Sequence, residues 1–313
     1  MSANPTARPT GTGSRRVRGR RLALTACGLV VAGSVLGGCG EDDPAPAATP
    51  SGPTASASGS TTGEVGVAAM GRARSATDLG RRLRKAVLRE ESASVQFAPE
   101  GAIAGASRGV IRFGEKEPAF TLSIDDPAKP MTMVAVPSGL YMQAPEKLDG
   151  KSWLKLTATL QDVEGDDAFS GIFAEIIDSA RSSIDVLLLT DALGEAKSFT
   201  VGAVEQVDGV PVTRYTVELG EKGLRKQLSE GMLKRAKGQL KGATNTTEIL
   251  VDADWLPRRV VTATLLEGRT LKSTVTYADW GRAAAVTEPP AADTARVEDY
   301  PDVTDIQRQI SGL

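Results

Sequence analysis

The chain has 313 residues, with 37 Lys and Arg against 39 Asp and Glu, no histidine, two cysteines and only 4% aromatic residues. The missing imidazole removes the commonest general base, the commonest transition-metal ligand and the ordinary near-neutral pH switch together. Six basic residues and no acidic one precede Cys39, so the remainder carries a formal charge of about −8, which with so few aromatics excludes a nucleic-acid-binding surface.

Those six residues, Arg8, Arg15, Arg16, Arg18, Arg20 and Arg21, come before a 14-residue apolar run from Leu22 to Val35 that ends in Leu36-Gly37-Gly38-Cys39. Basic stretch, apolar stretch and small residues are the parts of an export signal, and the run is shorter than the roughly 20 residues that cross a bilayer. The closing four residues resemble the lipobox of bacterial lipoproteins. Gly37 and Gly38 leave the scissile backbone uncovered, and the Cys39 thiol is the nucleophile that takes a diacylglyceryl group. Residues 1–38 are therefore expected to be a lipoprotein signal peptide and Cys39 the lipidated first residue of the mature chain. Ser14-Arg15-Arg16-Val17 hints at twin-arginine export but lacks the full continuation, which leaves the route open between Sec and Tat. Cys27 leaves with the signal, so the mature chain cannot form an internal disulfide.

Residues 39–76 are rich in Pro, Ala, Ser, Thr and Gly and hold almost no large apolar side chain, the composition of a disordered tether. A flexible segment of that length reaches on the order of 35 Å. A folded domain is expected over 77–300, opening with Thr77 as the cap of a helix whose Leu79, Leu83, Ala86 and Val87 recur at helical spacing among Arg81, Arg82, Arg84 and Lys85. From Ser92 to Thr157 the period becomes two. Runs at 94–97, 109–113, 120–124, 131–136, 140–143 and 153–156 are separated by short Gly, Pro and Asp turns, which predicts an antiparallel meander. Met131, Met133 and Met142 on these strands suit either ordinary packing or a deformable lining for flexible ligands.

Asp166 and Asp167 then lead into the widest apolar stripe in the chain: Phe169, Ile172, Phe173, Ile176, Ile177, Ala180, Ile184, Leu187 and Leu188, read as one helix to Leu189. Two more strands, 198–207 and 212–219, are split by Asp208-Gly209, with Pro211 expected to stretch the loop. A third helix is predicted through Leu224, Leu228, Met232, Leu233, Ala236 and Leu240, followed by strands at 248–252, 258–266 and 270–277. Beyond Gly281 coil is expected, and residues 301–313 form a tail in which Val303, Ile306 and Ile310 allow a short helix. Strands paired in sequence order with helices on one face make this an α+β domain.

Catalytic signals are thin. Ser152-Trp153-Leu154-Lys155 spells S-x-x-K, but that motif needs a helix and its surroundings alternate as a strand. Asp162, Glu164 and Asp166 alternate like calcium ligands, yet the loop glycine and closing glutamate are missing. Neither a metal nor a cofactor is expected, and a carboxylate-based hydrolase is the weakest of the function classes left.

Three groups of residues together resemble a known family. They are the stretch 202–210 around Asp208-Gly209 with Arg214-Tyr215, the run Asp252-Ala253-Asp254-Trp255-Leu256-Pro257-Arg258-Arg259, and Tyr277-Ala278-Asp279-Trp280-Gly281 with Glu288-Pro289-Pro290. They are similar to the later half of actinobacterial lipoproteins of the LppX/LprAFG type. That resemblance implies a LolA-like fold, a strongly curved antiparallel half-barrel whose concave face is covered by helices. It implies acyl chains of envelope lipids or glycolipids as ligands, and the membrane and a membrane transporter as partners, with no catalytic residues. On this reading Phe97, Phe113, Phe120, the three methionines, and Phe169, Ile172, Phe173, Ile176, Ile177, Ile184, Leu187 and Leu188 line the lipid cavity. The competing class is a non-catalytic interaction or sensor module beside a membrane partner.

Lipidation is directly testable. Cys39→Ala is expected to leave an unprocessed precursor or to release protein into the medium, followed by membrane fractionation; normal cleavage with full membrane retention would refute it.

Overall fold

The computed structural model describes residues 71–297 except 101–105, 115–117, 125–130, 157–177, 179, 229, 237 and 267. It opens with helix α1 (Ala76–Glu90). Ser75, rather than Thr77, caps it: the Ser75 side chain accepts the Asp78 backbone N–H, and Asp78 sits in the first turn where a carboxylate favours the helix N-terminus. Leu79, Leu83, Ala86 and Val87 are buried along one stripe, and Glu91 ends the helix in the left-handed region at φ 62°. Ala73 and Ala76, placed by composition in the tether, are already packed, and the Ala73 N–H donates to the Tyr215 hydroxyl.

Among the described residues twelve strands follow: β1 (Ser92–Glu100), β2 (Ser107–Arg112), β3 (Ala119–Ile124), β4 (Met131–Val136), β5 (Gly139–Leu148), β6 (Lys151–Lys155), β7 (Ala196–Val207), β8 (Val210–Leu219), β9 (Thr244–Val251), β10 (Pro257–Leu266), β11 (Arg269–Ala278) and β12 (Thr294–Arg296). They form one open sheet in the order β12-β6-β5-β4-β3-β2-β1-β11-β10-β9-β8-β7. Two antiparallel meanders, β1–β6 and β7–β11, are thus joined by pairing β1 with β11, from Ser94 opposite Ala278 to Glu100 opposite Lys272. Two-residue turns set the register in each meander. Asp149-Gly150 and Asp208-Gly209 both have positive φ, the backbone that a tight hairpin requires. Pro211 does not stretch its loop: Val207 pairs with Val210 directly, and Pro211 lies before β8 begins to pair with β9 at Thr213, so no ladder bond is lost.

Three sequence expectations are corrected. The apolar stripe does not run as one helix to Leu189, because Asp185 interrupts it. Residues 180–184 are helical, Asp185 is extended, and a new helix α2 (Val186–Ala192) starts behind it. The helix read through Leu224 to Leu240 is two short ones, α3 (Glu221–Lys226) and α4 (Glu230–Arg235), in a stretch where Gly223, Gly231 and Gly238 weaken continuous helix. The chain after Gly281 is not only coil. It crosses the outer face of β4–β6, where Val286 packs on Val134, Val136, Tyr141 and Trp153, and returns as β12, parallel to β6.

The core lies on the other face of the sheet. Side chains at alternate positions of β1–β6, β8, β9 and β11 join those of α1 and α2 in one buried cluster. Helices on one face of an open, largely antiparallel sheet make this the α+β half-barrel that the sequence resemblance implies.

Gly109 shows how closely the strands approach. A Cβ there would lie 1.8 Å from the Thr121 carbonyl oxygen of β3, so only glycine lets the two backbones pair at this point. Gly109→Ala should cost about 1–3 kcal/mol by forcing β2 and β3 apart. Chemical denaturation measures it, and an unchanged midpoint would show that the strands separate freely.

Candidate functional site

The described cavity candidates other than Leu188 fall into one buried cluster, with Phe113 and Phe97 at its β1–β11 side. β3, β4 and β5 put Leu122 opposite Met133, Ile124 opposite Met131, and Met133 opposite Met142. All three methionines are buried, as are Phe97, Phe120, Ile184 and Leu187, and all belong to the main cluster. The period of two explains why: Met131, Met133 and Ala135 face the core while Val134 and Val136 face the C-terminal strap, so β4 is covered on both sides. Leu188 is only half-buried, because the break at Asp185 turns it away from the buried side. Phe113 belongs to the same cluster and has aromatic neighbours. It stacks on Trp280 at 5.5 Å, and Trp280 stacks on Tyr277 at 5.6 Å, a ladder beside the β1–β11 seam. Phe169, Ile172, Phe173, Ile176, Ile177 and Cys39, like the Asp162 to Asp166 acids, lie outside the described residues.

Polar groups within the core hold helices to sheet. The Tyr277 hydroxyl donates to the Ile184 carbonyl at 2.9 Å, which ties the seam to the end of the helical turn before Asp185. Burial pushes the Tyr277 hydroxyl far above its ordinary range, so it stays a neutral donor. Asp185 is buried beside it, with one oxygen accepting the Leu187 N–H at 3.0 Å and the other 3.6 Å from Arg181. Desolvation raises its pKa against the lowering effect of these partners. Tyr277 entered the sequence reading only within the resemblance and Asp185 not at all, and nothing local marks their meeting, which depends on the 91 residues between them folding.

The segments that carry the family resemblance turn out to fix turns. One oxygen of buried Asp252 accepts the N–H groups of Asp254 and Leu256, and the other takes Nε of Arg258, which clamps the turn between β9 and β10 with Trp255 at φ 66°. The Trp280 indole N–H donates to the Pro257 carbonyl, and Glu288 accepts from Ser138 and from the Tyr141 hydroxyl under the strap. On the outer face Arg214 bridges Glu205 and Glu248, and its hydrogen bonds hold Glu205 below the usual carboxylate range.

Ser152 and Lys155 sit on strand β6, three residues apart and so on opposite faces, which rules out the S-x-x-K chemistry. A surface groove of about 330 Å³ runs between α1 and the β9–β10 turn, lined by Arg81, Arg82, Lys85, Ala86, Arg89, Asp254 and Trp255, with the Arg82 guanidinium 4.5 Å from the Trp255 ring. Among the described residues no helix is long and apolar enough to cross a membrane.

Asp185 yields a prediction with a definite sign. An acid whose folded pKa is raised binds protons more readily in the native state, so its stabilising contribution holds at low pH and is lost as pH rises through that pKa. Asp185→Asn keeps the cap acceptor and removes the titration. It should therefore stay within about 0.5 kcal/mol at neutral pH with a flatter stability profile above pH 4, whereas Asp185→Ala should lose about 1–2 kcal/mol. Urea titrations across pH decide it, and parallel profiles for wild type and Asp185→Asn would refute it.

No family model and no curated protein sequence matches the chain. Among solved structures it is similar to the lipoprotein LppX of Mycobacterium tuberculosis, at 14% identity over 68% of this chain and 98% of that one, with a TM-score of 0.44. It is also similar to LprF from Mycobacterium bovis, at 9% identity over 68% of this chain and 98% of that one, with a TM-score of 0.42. Among the described residues its own architecture is an open twelve-stranded sheet with helices on one face.

Proposed function

We propose that this protein is a membrane-tethered, extracytoplasmic lipoprotein that binds acyl chains of envelope lipids or glycolipids between its helices and the methionine-bearing strands, as a carrier or chaperone rather than an enzyme. The observation that supports this reading is the convergence of Met131, Met133 and Met142 with Phe120, Leu122 and Leu154 on one face of adjacent strands, in the same cluster as Ile184 and Leu187. Methionine is unbranched and polarisable, so a face built on three of them can repack around a flexible chain at little cost. Burying one 16-carbon chain offers a gross gain near ~12 kcal/mol before ordering costs, at roughly 0.8 kcal/mol per methylene. Tight binding therefore needs no polar apparatus. Cys39 supplies the tether, with acyl chains of its own fixing the protein to the membrane.

Met133→Trp separates a lipid-accepting face from a permanently filled one. In native mass spectrometry of the chain from residue 40 onward, purified without detergent, wild type should carry acyl lipid, and Met133→Trp should lose it at an unchanged unfolding midpoint. Absence of lipid from the wild type, together with a loss of about 1–3 kcal/mol from overpacking in the variant, would make the protein an interaction module instead.

A further inference from the structure

Between residues 221 and 241 the chain carries seven basic and two acidic residues, against a formal charge of −2 for the whole protein. This stretch forms α3 and α4. Leu224 of α3, Leu233 of α4 and Leu228 between them close with Leu240, Ala243 and Leu266 into a small cluster separate from the main core. Lys222, Lys226, Lys234 and Lys241 are exposed around it, although Lys226 also reaches Glu195 at 3.0 Å.

Leu266 ends β10, so the helical pair is seated on the tip of the β10–β11 hairpin, which turns at Gly268 with φ 79°. Two large apolar side chains stand open at that tip, Leu265 at 43% and Leu271 at 37% exposure. Leu265 pairs with Thr270 and Thr264 with Leu271, which places the two leucines on opposite faces of the hairpin. Arg269 and Lys272 flank them in sequence and are exposed, although Lys272 also lies 3.6 Å from Glu100.

A single exposed leucine needs no explanation. A hairpin tip apolar on both faces, adjoining a small satellite core and ringed by lysines in an otherwise acidic protein, has a specific complement. Leucines enter the boundary between headgroups and acyl chains, and the lysines meet the phosphates. The geometry points to the β10–β11 tip with α3 and α4 as a docking surface for an anionic lipid bilayer. The basic groove on α1 is less suited to the task. Arg81 and Arg82 are held by Asp78, Arg84 by Asp191 and Arg89 by Glu90, and Trp255 is half-buried rather than projecting. The docking surface does not depend on cargo binding, since a protein that never holds lipid would still use it.

The test is vesicle flotation of the chain from residue 39 onward carrying Cys39→Ser, which removes the acyl anchor. The protein should float with phosphatidylglycerol-containing vesicles, not with pure phosphatidylcholine, and should release as salt shortens the screening length. Lys222→Gln and Lys234→Gln should each weaken binding about fivefold, from about 1 kcal/mol per charge near the surface. Leu265→Ser with Leu271→Ser should weaken it while leaving its salt dependence. Arg81→Gln with Lys85→Gln on α1 should leave it unchanged. Unfolding midpoints accompany each variant, and should the leucine pair lower its midpoint, the lysine variants carry the test. No flotation, equal flotation with neutral vesicles, or loss confined to the α1 variant overturns the proposal. Bound lipid measured on the same samples by mass spectrometry reports on the acyl-chain reading separately.

Discussion

The pairing of β1 with β11 holds the domain together. Without it the protein would be two meanders, each with a bare apolar face and an extra unpaired edge, a state that sheets avoid because open edges recruit other chains. Closing that seam joins residues about 180 positions apart, so its loop-closure entropy must be offset locally. The seam is dense in just the contacts that do so. Val95 and Phe97 meet Tyr277 and Val275 across it, Ser94 bonds the Asp279 carboxylate, and the Gly281 N–H reaches the Ser92 carbonyl. Tyr277 then binds Ile184 and stacks on Trp280, so the element that joins the sheet halves also seats the helices.

This separates the residues that carry the sequence resemblance from those proposed to meet a ligand. The runs around Asp208, Asp252, Tyr277 and Glu288 are recognisable because each needs a particular side chain: a left-handed turn, a buried carboxylate with three partners, an indole donor, a strap acceptor. None of them belongs to the methionine face. That face needs only apolar volume, and volume-conserving exchanges within such a face cost little. Residue types therefore mark the turns of the scaffold more sharply than they mark that face.

The same distinction governs what was legible. Eleven of the strands announced themselves through alternation and tight turns, because one buried face imposes the period of two. β12 did not, since three residues of Thr-Ala-Arg hold no period and its place depends on where the strap lands. Helix boundaries failed where a single residue chose differently: Asp185 has the propensity of a cap and used it inside an apolar stripe, and Ser75 outcompeted Thr77 two residues earlier. Alternation puts the three methionines on one face of β4 and β5, whereas the stacking of Phe113 on Trp280, 167 residues away, has no local signal.

Any room for a ligand must come from the methionine half of the sheet. Away from it, hydrogen bonds tie Ala73, just before α1, to Tyr215 of β8, Ile184 to Tyr277 of β11 and Trp280 to Pro257 of β10. The helices are also locked to each other, for a Cβ on Gly80 of α1 would stand 2.9 Å from the Thr190 carbonyl of α2. Over β3–β6 the inward side chains are Phe120, Leu122, Met131, Met133, Leu140, Met142 and Leu154, all held by packing alone, which gives way in small steps through rotamer changes. Behind them the strap carrying Val286 and β12 backs the outer face, which favours expansion by repacking of side chains over bending of the sheet. Stiffness is concentrated where the fold is assembled, and softness where apolar cargo would be accepted.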